Sequence, residues 1–273
     1  HGGIHPPSGP LYCGESGLGI RMFSGISATF DQEIVLNGGG SLQDRPMAMI
    51  QQSLEAFGVQ CKTNAGRLPV RITGPIRPGS FHIDGSQGSQ TLTGLLIASP
   101  LCGGEVNISV SDLKSKHYAD ITTDVMHSFG VDVEQKGYEE FRILEGAKYR
   151  AADYTVEGDW SGAAFVFVAA ALAGKVLVGN LRNSSFQPDR HIIDAVTLAG
   201  GNISFSNGDL VIEKSSLIPF RFDATDCPDL FPPLVALAAH CNGVSLISGA
   251  GRLKGKESDR AEVLMEEFGK LGT

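Results

Sequence analysis

The sequence predicts an α/β fold built from a repeated β-α-β-α-β-β unit, and three observations carry that reading. Two kinds of glycine-marked landmark alternate along the chain with a period of about 70 residues, the scale of a repeated supersecondary block. The segments that follow the landmarks have helical periodicity or unbroken apolar runs, whereas those between them are short and rich in β-branched residues. The 35 glycines among 273 residues fall at corresponding points of this unit rather than in a low-complexity tract.

The first landmark is a small or acidic Gly/Ser turn leading into an apolar run. It reads CGESGLGIRMFSG from Cys13, DGSQGSQTLTGLLIASPL from Asp84, EGDWSGAAFVFVAAALAG from Glu157 and DCPDLFPPLVALAAHCNG from Asp226. Each is a turn and then a helix, and LFPPLVALAA is apolar enough to predict a buried one. The second landmark is a polar cap and an amphipathic helix: DRPMAMIQQSLEAFGV, SKHYADITTDVMHSFGV, QPDRHIIDAVTLAGG and KESDRAEVLMEEFGK. These helices close at Gly58, Gly130, Gly200 and Gly269, each positioned as a C-cap. Met47, Ile50, Leu54 and Phe57 share one face, as do Ile121, Val125 and Phe129, so one side of each is predicted to be buried.

Strands are expected at EIVLNG, EVNISVSDL, KVLVGNL and GVSLISGA, with hairpins at VDVEQKGYEEFRILEG and NISFSNGDLVIEK. The least regular stretch, ILEGAKYRAADYTVEGD, suggests a domain crossing near Ala152, giving domains 1–152 and 153–273 with about two units each. Units of this kind bury their faces against one another and collect their turns at one end, where a site made of turns is expected.

Composition narrows the chemistry. With 42% hydrophobic and 19% charged residues the chain reads as globular, and it has no run of roughly 18 apolar residues that would span a membrane. The opening HGGIHPPSGP lacks the basic and apolar regions of a secretion signal, so a cytoplasmic setting is expected. A net charge of −8 without a Lys/Arg run argues against nucleic acid. The five cysteines are scattered without a CxxC pair and read as reduced core residues. Seven dispersed histidines without HExxH, and no P-loop or Rossmann fingerprint, leave no metal and no cofactor to expect. Metal- and nucleotide-free chemistry on anionic ligands remains.

Basic and hydroxyl residues recur at turns just before helices, where backbone N–H groups already favour an anion. In the first unit Gly17 and Gly19 permit close approach, Arg21 follows within a turn, and Arg45 opens the DRP helix. Both arginines read equally as ion-pair partners of acids such as Asp44. In the second, GSQGSQ presents Ser86, Gln87, Gly88, Ser89 and Gln90 ahead of a helix, as an oxyanion cradle or as an ordinary cap. Ser115, Lys116 and Tyr118 open the next helix under the same two readings. In the fourth unit Asp229 stands at the mouth of an apolar helix, as a general base, an N-cap, or both. Lys256 and Arg260 are four residues apart and face one anion from one helical turn, unless GRLKGKESDR is simply a solvated charged face.

The Gly17–Arg21 loop, DRPM, GSQGSQTLTGLL, SKHYADIT, EGDWSGAAF, DCPDLFPPL and KGKESDR, in this order and spacing, resemble the 5-enolpyruvylshikimate-3-phosphate synthase family along the entire chain. The resemblance implies the enolpyruvyl transferase fold, a two-domain inside-out α/β barrel with substrates held between the domains and about four of its six units present here. It implies transfer of the enolpyruvyl group of phosphoenolpyruvate to the 5-hydroxyl of shikimate 3-phosphate, by a monomer with no nucleic-acid or membrane partner. Residue for residue, Gly17, Arg45, Gln90 and Arg260 would contact phosphoenolpyruvate, with Arg21 in support. Gly88, Ser89, Gln90, Ser115 and Tyr118 would hold shikimate 3-phosphate. Asp229 would orient the ring and accept the hydroxyl proton, Lys256 would bind the same ligand, and Glu257 would take part in proton transfer to the methylene carbon.

A family serine falls on Gly88 and a family asparagine on Arg252. The family's GSKS-type lysine loop, its DHR-type arginine and a late lysine have no counterpart within residues 1–273, so these residues by themselves are expected to be inactive. The alternatives are a non-catalytic truncated relative with a partial anion site, a structural repeat protein, and the related transferase acting on UDP-N-acetylglucosamine. The last should carry a reactive cysteine on a mobile loop, which neither Cys61 nor Cys102 resembles.

Overall fold

A computed structural model of the chain describes residues 3–206, 209–253 and 258–272. The fold divides into two compact units, His1–Tyr154 and Thr155–Thr273.

The first unit holds two copies of one motif. The first copy runs β1 (Leu11–Tyr12), α1 (Gly17–Ser27), β2 (Ile34–Asn37), α2 (Ala48–Ala56), β3 (Gln60–Asn64) and β4 (Arg67–Thr73). The second runs β5 (Gly79–Asp84), α3 (Gln90–Ala98), β6 (Val106–Ser111), α4 (His117–Ser128), β7 (Glu134–Lys136) and β8 (Glu140–Ile143). Their sheets have matching orders, β1-β2-β4-β3 and β5-β6-β8-β7, each with a parallel first pair and antiparallel partners after it. Alternation sets which face is inward. Ile34 and Leu36, Val70 and Ile72, and Val106, Ile108 and Val110 all enter one core with the inner faces of the helices.

The second unit contains α5 (Trp160–Ala173), β9 (Lys175–Val178), α6 (Ile192–Leu198), β10 (Asn202–Ser206) and β11 (Asp209–Glu213). β12 (Arg221–Asp223), α7 (Phe231–Ala239), β13 (Leu246–Ser248) and α8 (Arg260–Lys270) follow. One sheet has the order β10-β11-β9, and β12 pairs in parallel with β13. Trp160, Phe167, Leu230, Phe231, Leu234 and Leu237 are central to a separate core.

One backbone hydrogen bond recurs where the two crossover loops of each motif leave side by side. Cys13 N–H donates to Asn37 O at 2.8 Å, Gly85 N–H to Ser111 O at 2.8 Å, Gly158 N–H to Asn180 O at 2.7 Å and Ala224 N–H to Ser248 O at 3.0 Å. Each bond holds the loop that enters the motif's first helix against the loop that enters its second. In the three motifs with a parallel strand pair, this is the edge at which open α/β sheets bind ligands, beyond the carboxyl ends of those strands.

Helices α1 and α3 cross with backbone against backbone. A Cβ on Gly25 would stand 2.3 Å from the Gly94 carbonyl, and one on Gly94 would stand 2.6 Å from the Met22 carbonyl oxygen. Beside this crossing, buried Ser24 donates to Arg21 O at 2.6 Å.

Three expectations are corrected. Gly58, Gly130 and Gly200 do follow their helices at φ +72°, +83° and +79°, but Gly269 lies inside α8, and it is Gly272, at φ +81°, that takes the left-handed position. Glu266, Glu267 and Lys270 are good helix formers, and Lys270 pairs with both acids, which carries the helix past the glycine. In α4 the buried residues are Ala119, Thr122 and Met126, while Ile121, Val125 and Phe129 are half-buried. Their flank meets the segment beyond β8, where Arg150 N–H donates to Phe129 O and Tyr154 packs on the Phe129 ring. Finally, α7 buries only one side, through Phe231, Pro233, Leu234 and Leu237; its other side lines an open apolar groove of about 560 Å³ against α8.

Gly25→Ala or Gly94→Ala should lower stability by about 1–3 kcal/mol, because the atoms struck are backbone. Gly269→Ala, with open space at its Cβ position, should instead raise it by up to about 1 kcal/mol. Urea unfolding of the three variants checks both signs.

Candidate functional site

In the first unit the site begins at the N-terminus of α1. Ser16 caps the helix by accepting from Gly19 N–H at 2.9 Å, which leaves the first turn facing the loop edge. Over Gly17 lie two guanidinium groups. A Cβ there would stand 2.2 Å from Arg45 Nη1 and 2.8 Å from Arg21 Nη1, so a side chain at this position would displace the guanidinium tips. Arg21 is 7% exposed and donates to Gly17 O at 3.0 Å and to Gln90 Oε1 at 3.3 Å, tying α1 to the first residue of α3. Guanidinium groups beside a helix N-terminus, with a carboxamide alongside, have the chemistry that suits a carboxylate or phosphate.

Asp44 does not supply the acidic partner raised as an alternative for these arginines; it pairs with Arg67 at 3.2 Å. Arg45 is not itself at a helix start. It is extended, between the 3₁₀ turn Gly40–Asp44 and α2, and this aims its side chain back across the loop toward Gly17. Glu15, in the same loop, is turned away: its carboxylate accepts from Ser41 N–H and Oγ–H at 2.8 and 2.9 Å, and those bonds hold it below the usual carboxylate range.

The second motif brings Gly88, Ser89 and Gln90 to the start of α3. Gly88 has φ +128°, a conformation that strains any side chain, and its Cβ direction is open. Ser89 is buried in the N-cap position but makes no side-chain capping bond, so the ordinary-cap reading fails there. Ser115 takes φ +55° ahead of α4, Tyr118 N–H donates back to its carbonyl at 3.2 Å, and Lys116 Nζ sits 5.4 Å from the centre of the Tyr138 ring.

In the second unit Asp229 lies in the 3₁₀ turn Pro228–Leu230 and does not cap α7, whose N-cap is Leu230. It forms a close ion pair with Arg260, the first residue of α8, and both side chains are about one-third exposed. Asp259 caps α8 by accepting from Ala261 and Glu262 N–H. Lys256 and Glu257 lie outside the described residues.

Two features escaped the sequence reading. Glu157 accepts from Ser185 Oγ and Gln187 Nε2, both at 2.9 Å, while Gln187 Oε1 accepts from Trp160 N–H, clamping the loop before α5 to the loop before α6. Asp189, two residues on, is 1% exposed and accepts a short hydrogen bond from Ser161 Oγ. Burial pushes its pKa up to about 6, with Asp229 and Asp159 adding to the rise and Ser161 and Arg260 opposing it. Ser161 and Asp189 each follow a turn that opens a helix of the same motif. That register was the available signal, but nothing in QPDR distinguishes a buried acid from a capping one.

The model of the family described as EPSP synthase (3-phosphoshikimate 1-carboxyvinyltransferase) matches residues 2–273. A 3-phosphoshikimate 1-carboxyvinyltransferase of Clostridium novyi is 37% identical over 95% of the chain and 60% of its own length. One of Aeropyrum pernix is 36% identical over 96% of the chain and 61% of its own length. The solved structure of an EPSP synthase from Acinetobacter baumannii superposes with a TM-score of 0.76 at 28% identity, covering 95% of this chain and 61% of that one. The chain thus spans about three-fifths of the length of the relatives it matches.

The folded state binds the Asp189 proton more tightly than the unfolded chain. That group's contribution therefore favours folding at low pH and turns against it as pH rises through the interval from 3.8 to about 6. Asp189→Asn abolishes the titration, so the stability difference between variant and parent should move toward the variant by roughly 2–3 kcal/mol from about pH 4 to about pH 7. Denaturant titrations of both proteins at the two pH values measure it.

Proposed function

The chain belongs to the EPSP synthase family, and on that premise we propose that its protein transfers the enolpyruvyl group of phosphoenolpyruvate to the 5-hydroxyl of shikimate 3-phosphate, releasing phosphate. The observation that carries the reading is the convergence of Arg21 and Arg45 over Gly17 beside Gln90, a preformed receptor for a small multiply charged anion. In this reading residues 1–152 and 153–273 are parts of two domains, and the protein works as a cytoplasmic monomer.

Arg45, Gly17 and Gln90 hold phosphoenolpyruvate, with Arg21 fixing Gln90 from behind, and Arg260 is a further cation for the same ligand. Gly88, Ser89, Gln90, Ser115 and Tyr118 hold shikimate 3-phosphate by its phosphate and ring, and Lys256 is its second cation. Chemistry begins with proton transfer to the methylene carbon of phosphoenolpyruvate, in which Glu257 takes part. The 5-hydroxyl oxygen then bonds to the adjacent carbon as Asp229 takes its proton, giving a tetrahedral intermediate. Loss of a methyl proton restores the double bond as phosphate leaves. Electrostatic positioning by arginine and lysine supplies much of the stabilisation, without a covalent enzyme intermediate.

Cys61 favours this acceptor over UDP-N-acetylglucosamine. It is buried inside β3 with its thiol pushed up to about 12, the reverse of a reactive loop cysteine.

The test is phosphate release from phosphoenolpyruvate and shikimate 3-phosphate by a chimera in which these residues replace the matching part of the Clostridium novyi relative. Asp229→Asn should cut kcat by roughly 10²–10⁴-fold with a much smaller change in KM. Arg45→Ala should act mainly on KM for phosphoenolpyruvate, by about tenfold or more. Phosphate release that ignores both substitutions would overturn the assignment.

A further inference from the structure

Two threonines with no place in the proposed reaction join the two turns assigned to shikimate 3-phosphate. Thr93 on α3 and Thr122 on α4 are both buried, and their hydroxyl oxygens lie 2.9 Å apart. Thr122 Oγ1–H donates to Tyr118 O, one turn back along α4, at 2.7 Å. A carbonyl only accepts and a hydroxyl has one proton, so Thr93 is the donor in the bond between the two threonines. Thr93 N–H in turn donates to Ser89 O at 2.8 Å, and Tyr118 N–H donates to Ser115 O at 3.2 Å. A directed thread of hydrogen bonds thus runs from the Ser89–Gln90 turn, across the helix pair, to the Ser115–Tyr118 turn. The loops ahead of the two helices are clasped as well, by Gly85 N–H to Ser111 O at 2.8 Å and Lys114 N–H to Gly85 O at 3.1 Å. Backbone bonds fix where the loops leave the sheet, and the hydroxyl pair fixes the helices within their first two turns.

We propose that Thr93 and Thr122 are positioning residues for shikimate 3-phosphate, a register lock between α3 and α4 that sets the separation of the two turns receiving this ligand. Threonine is a poor choice for a helix interior, and a buried hydroxyl costs desolvation free energy that alanine or valine would not. Only a well-placed partner recovers that cost. An apolar contact between the helices would be satisfied over a range of offsets, whereas a directed bond of 2.9 Å is satisfied by one. Both hydroxyl protons are committed, one to the other threonine and one to a helix carbonyl, so the pair acts on a ligand through Ser89, Gln90, Ser115 and Tyr118. The assignment deepens the enolpyruvyl-transfer reading and rests on it for the identity of the ligand. The lock itself is measurable without turnover.

The experiment is amide hydrogen exchange on the 273-residue chain, joined to kinetics in the Clostridium novyi chimera. Thr93→Val removes one hydroxyl from α3 and should speed exchange of the Tyr118 and Ala119 amides on α4 by about three- to tenfold relative to the amides of α2. Thr93→Ser keeps the hydroxyl and should keep the parent rates. In the chimera, Thr93→Val should raise KM for shikimate 3-phosphate by about three- to tenfold with kcat little changed, and Thr93→Ser should restore it. Exchange that rises equally in α2 and α4 would mark a packing role and overturn the proposal, as would an α4 indifferent to Thr93→Val or a Thr93→Ser that behaves like it. An unchanged KM in an active chimera would likewise overturn the positioning role. Thr93→Ala removes the same hydroxyl and decides the matter if Thr93→Val does not fold. An inactive chimera with the α4 effect intact would count against the reaction and for the register lock.

Discussion

Everything at the candidate site depends on one constraint, the parallel pairing of two strands whose loops leave the sheet side by side. The pairing obliges the chain to return by a helix, and the backbone bond just past the strand ends, such as Gly85 N–H to Ser111 O, holds the two outgoing loops in contact. A helix N-terminus follows each loop, so glycines, arginines and hydroxyls far apart in sequence arrive at one edge. Arg45 reaches Gly17 because their loops are clasped by Cys13 N–H to Asn37 O and Gly39 N–H to Gly14 O. The chemistry is written onto a scaffold that would form the same edge without it.

The two units use charge differently. In the first, two cations meet over Gly17, where Arg21 donates to a helix carbonyl and to the Gln90 amide oxygen. In the second, Asp229 and Arg260 form a close ion pair, and a separate acid, Asp189, is buried and has its pKa raised by that burial.

Much of this was legible in the sequence, because the repeat is local. Turn glycines, apolar runs and caps at a fixed spacing give the order of strands and helices, and the Gly58, Gly130 and Gly200 positions follow from the left-handed conformation a helix end requires. What periodicity cannot convey is which neighbour covers a helix flank. The Ile121, Val125 and Phe129 stripe is periodic but only half-buried, since a distant strap, not the sheet, lies against it. Asp229 reads as a cap until Arg260, 31 residues later, is seen to hold it. Asp189 is invisible for the same reason: its burial and its Ser161 partner, 28 residues earlier, come from tertiary packing.

The glycine crossing of α1 and α3 carries a consequence for how such a protein can change over generations. In most cores a larger side chain on one helix can be accommodated by a smaller one opposite, so two substitutions can rescue each other. At Gly25 and Gly94 the opposing atoms are carbonyl groups, and no choice of residue at either position makes room for the other. Those two sites have no suppressors available in each other, and because Arg21 and Gln90 lie on the same two helices, the arginine–glutamine contact inherits that immobility.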